Sequence, residues 1–349
     1  MRAFGFLSFG HYVNAQGSQA RTASDMLKQA VDIGVGADEL GVNGAYFRVH
    51  HFARQQASPM PLLATIAAKT KHIEVGTGVI DMRYENPLYL AEEAAALDIL
   101  ADGRIALGIS RGSPETVVRG YETFGYTGSN DPRGADIARP KFDLFMRAIN
   151  GEPLAKGERS MTGGQMMPIE PRSSTLRDHI WWGSATRESA EWTGQQGLNM
   201  MSSTLLTEDA GMPFDELQAE QIIRFREAYR EAGHKGAPRV SVSRSIFPIV
   251  NTQDAAYFGN AGDKNDGVGM IDGFRSTFGR TYAAEPDKLI EELKKDRAIA
   301  LADTLMLTIP NQLGPEYNLH ILESFAKHVA PALGWKPNWE GPVTGDEIK

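Results

Sequence analysis

The chain has 349 residues, 42% hydrophobic and 23% charged, which suits one large α/β barrel and is ordinary for a soluble globular protein. Its 36 Lys and Arg against 44 Asp and Glu leave a formal charge of −8 with no basic block, which argues against nucleic acid and membrane surfaces as partners. The absence of cysteine excludes disulfides, thiolate metal sites and cysteine nucleophiles, and a cytoplasmic setting is expected. Met1-Arg2-Ala3-Phe4 leads directly into a strand-like run, so no secretory leader is expected, and no apolar stretch approaches the length of a membrane span.

In chain order, residues 3–9 read as a strand and 21–40 as a helix with Met26, Ala30, Ile33 and Ala37 on one face. A second strand over 45–49 delivers His50 and His51. Strand neighbours point to opposite sides, so these two histidines do not share a metal and at most one faces a barrel mouth. A helix over 59–69 and a strand over 72–80 follow, the latter with Gly76 and Gly78 where backbone makes close contact. Pro87 opens the next helix at a position where its missing N–H costs nothing.

The Asp102-Gly103 turn feeds an apolar run over 105–109, the pattern of a strand buried on both faces in a parallel sheet. It ends on Ser110-Arg111-Gly112, a guanidinium beside a glycine that lets an anion approach the backbone. A phosphate or carboxylate suits this end. Read alone, the same residues suit an arginine paired to a neighbouring acid better, since strand-end charges are common. A long irregular section reaches about residue 140, followed by a helix over 141–150 and a turn-rich insertion at 151–178.

A strand over 180–182 then breaks at 183–189 into a helix running to about 196. Helix N-termini offer free N–H groups to anions, and Ser184, Thr186 and Ser189 add hydroxyls, although simple N-capping by Ser184 or Thr186 explains them as well. Residues 197–201 form a strand, 214–232 an amphipathic helix and 239–250 a long strand. The glycine-rich section 251–284 has the composition of a mobile flap, in which Arg275 and Arg280 could reach a substrate or phosphate on closure, although a solvated loop is the default reading of both. A helix over 286–297, a strand over 304–309 and a last helix with Leu319, Leu322, Ala326, Val329 and Leu333 on one face complete the chain.

Strand and helix alternate about eight times, which predicts an α/β fold: one (β/α)8 TIM-barrel domain over 1–349 with an insertion region and a flap. No Gly-x-Gly-x-x-Gly follows the first strand, which disfavours a doubly wound sheet. In such a barrel the strand end at Arg111 neighbours the turn at 183–189, and two anion signals converge.

Four segments carry a family resemblance: Val49-His50-His51-Phe52, Gly76-Thr77-Gly78-Val79, Asp102-Gly103-Arg104-Ile105-Ala106-Leu107-Gly108-Ile109-Ser110-Arg111-Gly112, and Glu191-Trp192-x-x-Gln195-x-Gly197-Leu198. In order and spacing they resemble the bacterial luciferase-like flavin monooxygenase family, over most of the chain and least in 151–177 and 251–284. The resemblance implies a TIM barrel that binds FMN, or in one branch a deazaflavin, at its C-terminal mouth. It implies that Arg111 grips the cofactor phosphate and that Thr186 and Ser189, with the amides of their turn, complete that site; Ala185 stands where luciferases carry glutamate. Gly78-Val79 matches a non-proline cis peptide behind the flavin ring, His50 a histidine near the reactive face and a candidate general base, and Ser110 the place of a reactive cysteine, here a lining residue.

The function so implied is a two-component monooxygenase that uses reduced FMN and dioxygen to oxygenate a small organic substrate. A separate NAD(P)H-dependent flavin reductase supplies the reduced cofactor, the enzyme is a homodimer, and no metal is involved. Two alternatives stand beside it: a deazaflavin-dependent hydride-transfer reductase or dehydrogenase on the same barrel, and a non-catalytic flavin-binding relative.

Overall fold

Eight short strands alternate with eight helices: β1 (Ala3–Ser8), β2 (Gly44–Phe47), β3 (Glu74–Asp81), β4 (Ile105–Ser110), β5 (Ile180–Ser184), β6 (Asn199–Ser202), β7 (Val240–Pro248) and β8 (Thr304–Ile309). The helices are α1 (Ala23–Glu39), α2 (Pro59–Lys69), α3 (Pro87–Leu100), α4 (Ala135–Ile149), α5 (Arg187–Gln195), α6 (Phe214–Glu231), α7 (Pro286–Lys295) and α8 (Gly314–His328). The computed structural model describes residues 1–343 apart from 113–114, 209–210, 263–264 and 272–273, and leaves out the side chains of 270, 271, 274 and 275. Each strand pairs in parallel with the next, β6 meets β7, and β8 returns to β1, so the eight strands close into the expected barrel.

The period-two alternation of the strands sorts side chains into two layers. In β4, Ile105, Leu107 and Ile109 pack outward against the helices, whereas Ala106 faces inward with Leu7, Tyr46, Trp181, Met201 and Met306. Trp182 also packs outward, its ring 4.8 Å from that of Phe142. Small inward residues let the strands crowd: a Cβ on Gly76 would collide with the carbonyl of Ala106 on the next strand.

Helix starts follow their caps. Thr22 and Asp25 form a reciprocal capping box on α1, and Asn86 accepts from the amides of Leu88 and Tyr89 on α3. Arg104, at the foot of β4, donates to the carbonyls of Ala67 and Thr70 at the end of α2, tying that helix to the barrel. One boundary differs from the sequence reading. Helix α4 starts at Ala135, six residues earlier than residue 141, and holds Pro140 inside it. The buried face Ala138, Phe142, Phe145 and Ile149 keeps helical spacing through the proline, whose cost is one missing backbone bond.

The 151–178 insertion contains an antiparallel pair, Ala155–Lys156 with Met166–Met167, around the short helix Arg159–Thr162. Residues 251–284 hold a helix (Thr252–Phe258) and a hairpin (Gly267–Ile271 with Phe274–Phe278), which pairs with Leu205–Leu206. They end in Thr281–Ala284, which lies parallel to β7 with Tyr282 and Ala284 buried. Glycine-rich composition concealed that pairing, because alternation survives only in its last four residues. Among the described residues, no helix is long and apolar enough to cross a membrane.

Candidate active site

A cavity of about 420 Å³ opens at the C-terminal ends of the strands, within the range of small-ligand sites. His50, Gly78, Val79, Ser110, Arg111, Ala185, Thr186 and Ser189, spread over three strand ends and one helix start, all line it. The strand–helix alternation brings them together, since β3, β4 and β5 are consecutive neighbours.

At the β4–β5 side, Ser110 ends β4 on the inward face and its Oγ accepts from the Gly112 amide at 3.2 Å. Arg111 follows, exposed toward the opening and without a hydrogen bond or ion pair among the described residues. Partial burial, and then the like charges of Arg139 and Arg133, lower its pKa. A cation destabilised in this way favours a bound anion. Across from it, Thr186 caps α5 by accepting from the Ser189 amide at 3.0 Å, and the Arg187 amide is taken by Glu208 Oε2 at 3.0 Å. Two of the first N–H groups of α5 are therefore already satisfied, and an anion here meets the Arg111 charge and the Ser189 hydroxyl. Ser189 donates only a long 3.4 Å bond to Ser184 Oγ.

The floor crosses β3, where the Gly78–Val79 peptide is cis and the β3–β4 register shifts between Thr77 and Ile80. Leu7, Val79, Met201 and Met306 give this part an apolar lining. Beyond it lies His50. Desolvation, and next the positive charge of Arg48, push its pKa down to about 4, so the imidazole is neutral and able to accept a proton at pH 7. His51 points elsewhere, stacked on Tyr84 with ring centroids 4.1 Å apart. One histidine faces the mouth and its neighbour does not, as the sequence reading requires. Among the described residues no group of acids and histidines could hold a metal ion.

Several lining groups escaped the sequence reading. Arg83 bridges Asp81 and Glu115, with Nη2 2.5 Å and 3.1 Å from their carboxylates, and Tyr84 donates to Glu115 at 2.8 Å. Burial holds Glu115 up at about 7 despite these partners. Glu115 lies 31 residues beyond Tyr84 in the chain, and that separation gave no sequence signal. Arg48 did have one: alternation puts Tyr46, Arg48 and His50 on one side of the β2 run, with Phe47 and Val49 packed outward. Arg280 lies on a different cavity with Pro213, Arg244 and Glu292, its Nη2 3.6 Å from Glu292. The side chain of Arg275 is outside the described residues.

The donor set fits the flavin that the sequence resemblance implies. A lone guanidinium with hydroxyls suits an anionic tail, and an apolar floor beside polar walls suits a flat heteroaromatic ring. Comparison with known proteins agrees with this architecture. Residues 4–297 match the family model of the luciferase-like monooxygenases. The oxygenase component of flavin-dependent trigonelline monooxygenase from Acinetobacter baylyi is 34% identical over 308 residues, covering 83% of this chain and 81% of that protein. The crystal structure of the monooxygenase RslO1 from Streptomyces bottropensis superposes with a TM-score of 0.70 at 20% identity, over 94% of this chain and 99% of that one. The oxygenating constituent of 3,6-diketocamphane monooxygenase from Pseudomonas putida, solved with FMN, gives 0.68 at 18% identity over 95% and 99%. The chain belongs to the luciferase-like monooxygenase family.

Proposed function

We propose that this protein is the oxygenase of a two-component monooxygenase that uses reduced FMN and dioxygen to oxygenate a small organic substrate. The observation that carries the reading is the uncompensated Arg111 at one end of a cavity whose floor is the Gly78–Val79 peptide and whose far wall holds a neutral His50. Arg111 and the hydroxyls of Thr186 and Ser189 would hold the phosphate; the backbone at Gly78–Val79 would support the ring. Bound reduced FMN supplies two electrons to dioxygen, with one oxygen atom ending in product and the other in water.

The remaining work belongs to the chain. Leu7, Val79, Met201 and Met306 keep water from the reacting face. His50 Nδ1 or Nε2, uncharged at neutral pH, accepts a proton from the substrate or donates a hydrogen bond. Within 251–284, the antiparallel pair Gly267–Ile271 with Phe274–Phe278 would cover the mouth during turnover, since Thr281–Ala284 is fixed beside β7. Similarity to an oxygenase component supports a separate NAD(P)H-dependent reductase as the source of reduced FMN.

Titration of FMN tests the site. Arg111→Ala should weaken binding by about 1.5–3 kcal/mol, the scale of a charged hydrogen bond; unchanged affinity rejects the phosphate assignment. Mixing the anaerobic complex of protein and photoreduced FMN with dioxygen tests the chemistry. Oxygen uptake at a rate distinct from that of free reduced FMN is expected, and turnover of a reduced deazaflavin without oxygen uptake would replace this reading by hydride transfer.

A further inference from the structure

The cavity has two cationic poles, and one phosphate accounts for only one of them. Arg111 stands at the β4 end next to β5, whereas Arg48 stands two strands away, just past β2 and beside β1, with β3 and its Gly78–Val79 floor between them. The Arg48 guanidinium lies 4.9 Å from the Phe9 ring centroid, and the Phe9 ring stacks on His11 at 5.8 Å with planes 9° apart. Its main-chain amide donates to Ser8, but among the described residues its side chain donates no hydrogen bond and meets no carboxylate. The acids of the lining, Asp81 and Glu115, are both committed to Arg83.

An arginine so placed is unusual, because partly buried guanidinium groups are normally paired. Desolvation alone lowers its pKa to about 10, and the neighbouring His11 and His50, whose own pKa values burial and the Arg48 charge push down, carry no negative charge to relieve it. A ligand has to supply the missing charge. The fork geometry of guanidinium matches a carboxylate through two parallel hydrogen bonds, and the flat Phe9 face beside it suits a planar substrate body.

We propose that the substrate of this oxygenase carries a carboxylate, that Arg48 receives it, and that the carboxylate sets the substrate body over the Gly78–Val79 floor within reach of His50. The inference rests on reading the cavity as a flavin site, and its test separates the two.

Wild-type protein, with and without bound FMN, is titrated with acetate, benzoate and nicotinate and with their neutral amides, acetamide, benzamide and nicotinamide. At least one carboxylate should bind more tightly than its amide. That preference should fall about 10- to 100-fold in Arg48→Gln, the scale of a lost charged hydrogen bond, and be partly kept in Arg48→Lys. FMN affinity should be the same in Arg48→Gln as in wild type. Absence of a carboxylate preference in all three pairs overturns the proposal. So does a preference that survives Arg48→Gln while FMN affinity drops, which would assign Arg48 to the cofactor. If wild-type protein fails to bind FMN but keeps an Arg48-dependent carboxylate preference, the flavin reading falls and the anion site stands.

Discussion

His50 shows how the cavity sets the chemistry of a single side chain. Burial and the Arg48 charge lower its pKa from the ordinary 6.5 to about 4, outweighing the attraction of Asp81. The sign of the stability effect follows from proton counts. Between pH 6.5 and 4 the unfolded chain binds a proton at this position that the folded chain refuses, so the unfolded state gains as pH falls. The neutral imidazole costs nothing above about 6.5, and the penalty is complete below about 4. His50→Gln should therefore flatten the loss of stability across that window. Urea midpoints of both proteins at pH 7 and pH 4.5 measure it, and parallel losses in the two proteins would show that His50 titrates normally. The same shift makes His50 a proton acceptor throughout the neutral range, so an acid limb of activity near pH 6.5 would have to come from another group.

At the scale of elements, the start of α5 carries two roles that sequence reading could not separate. Thr186 is an N-cap in the folded chain, accepting from the Ser189 amide at 3.0 Å, while Ser189 Oγ has only a weak tie to Ser184. Thr186→Ala should lose about 1 kcal/mol of stability without any ligand. Ser189→Ala should leave that stability nearly unchanged and weaken FMN binding instead; thermal melts paired with FMN titrations distinguish them, and equal destabilisation by both would place Ser189 in the scaffold alone. The strands and helices that position this turn were legible because apolar runs and caps are local signals. The start of α4 was not, since Pro140 looks like a boundary and only the Ala138–Phe142–Phe145 spacing carries the helix through it. Nor was the Glu208 carboxylate on the Arg187 amide, whose approach depends on a loop path that no periodicity encodes. In the site itself, residues placed by strand ends were readable one by one, whereas the Asp81–Arg83–Glu115 bridge and the unpaired state of Arg48 exist only once β2, β3 and the loop after β4 are assembled.

For the whole molecule, the barrel separates a stabilising end from a reactive one. At the foot of the barrel, Glu74 at the start of β3 accepts from Arg239 Nη1 at 2.6 Å and Nη2 at 3.1 Å, and from Tyr46 Oη at 2.7 Å. Arg239 Nη2 also donates to Thr304 at 3.2 Å, and the guanidinium lies 4.7 Å from the Trp181 ring centroid, so one buried network joins β2, β3, β5, β7 and β8 across the interior. Glu74→Gln keeps the shape but leaves the Arg239 charge without its counter-ion in a site that is 1% exposed at Glu74. Breaking a buried pair in this way should cost about 3–5 kcal/mol. Replacing both partners, as Glu74→Met with Arg239→Met, removes the stranded charge and should recover a large part of that loss. FMN affinity should not follow stability in either variant, because Glu74 precedes Gly78 by four strand residues, about 13 Å along β3. Chemical denaturation of the single and double variants, alongside FMN titration of the folded proteins, tests this division of labour. A coupled loss of FMN affinity in Glu74→Gln would mean that the foot of the barrel also sets the geometry of its mouth.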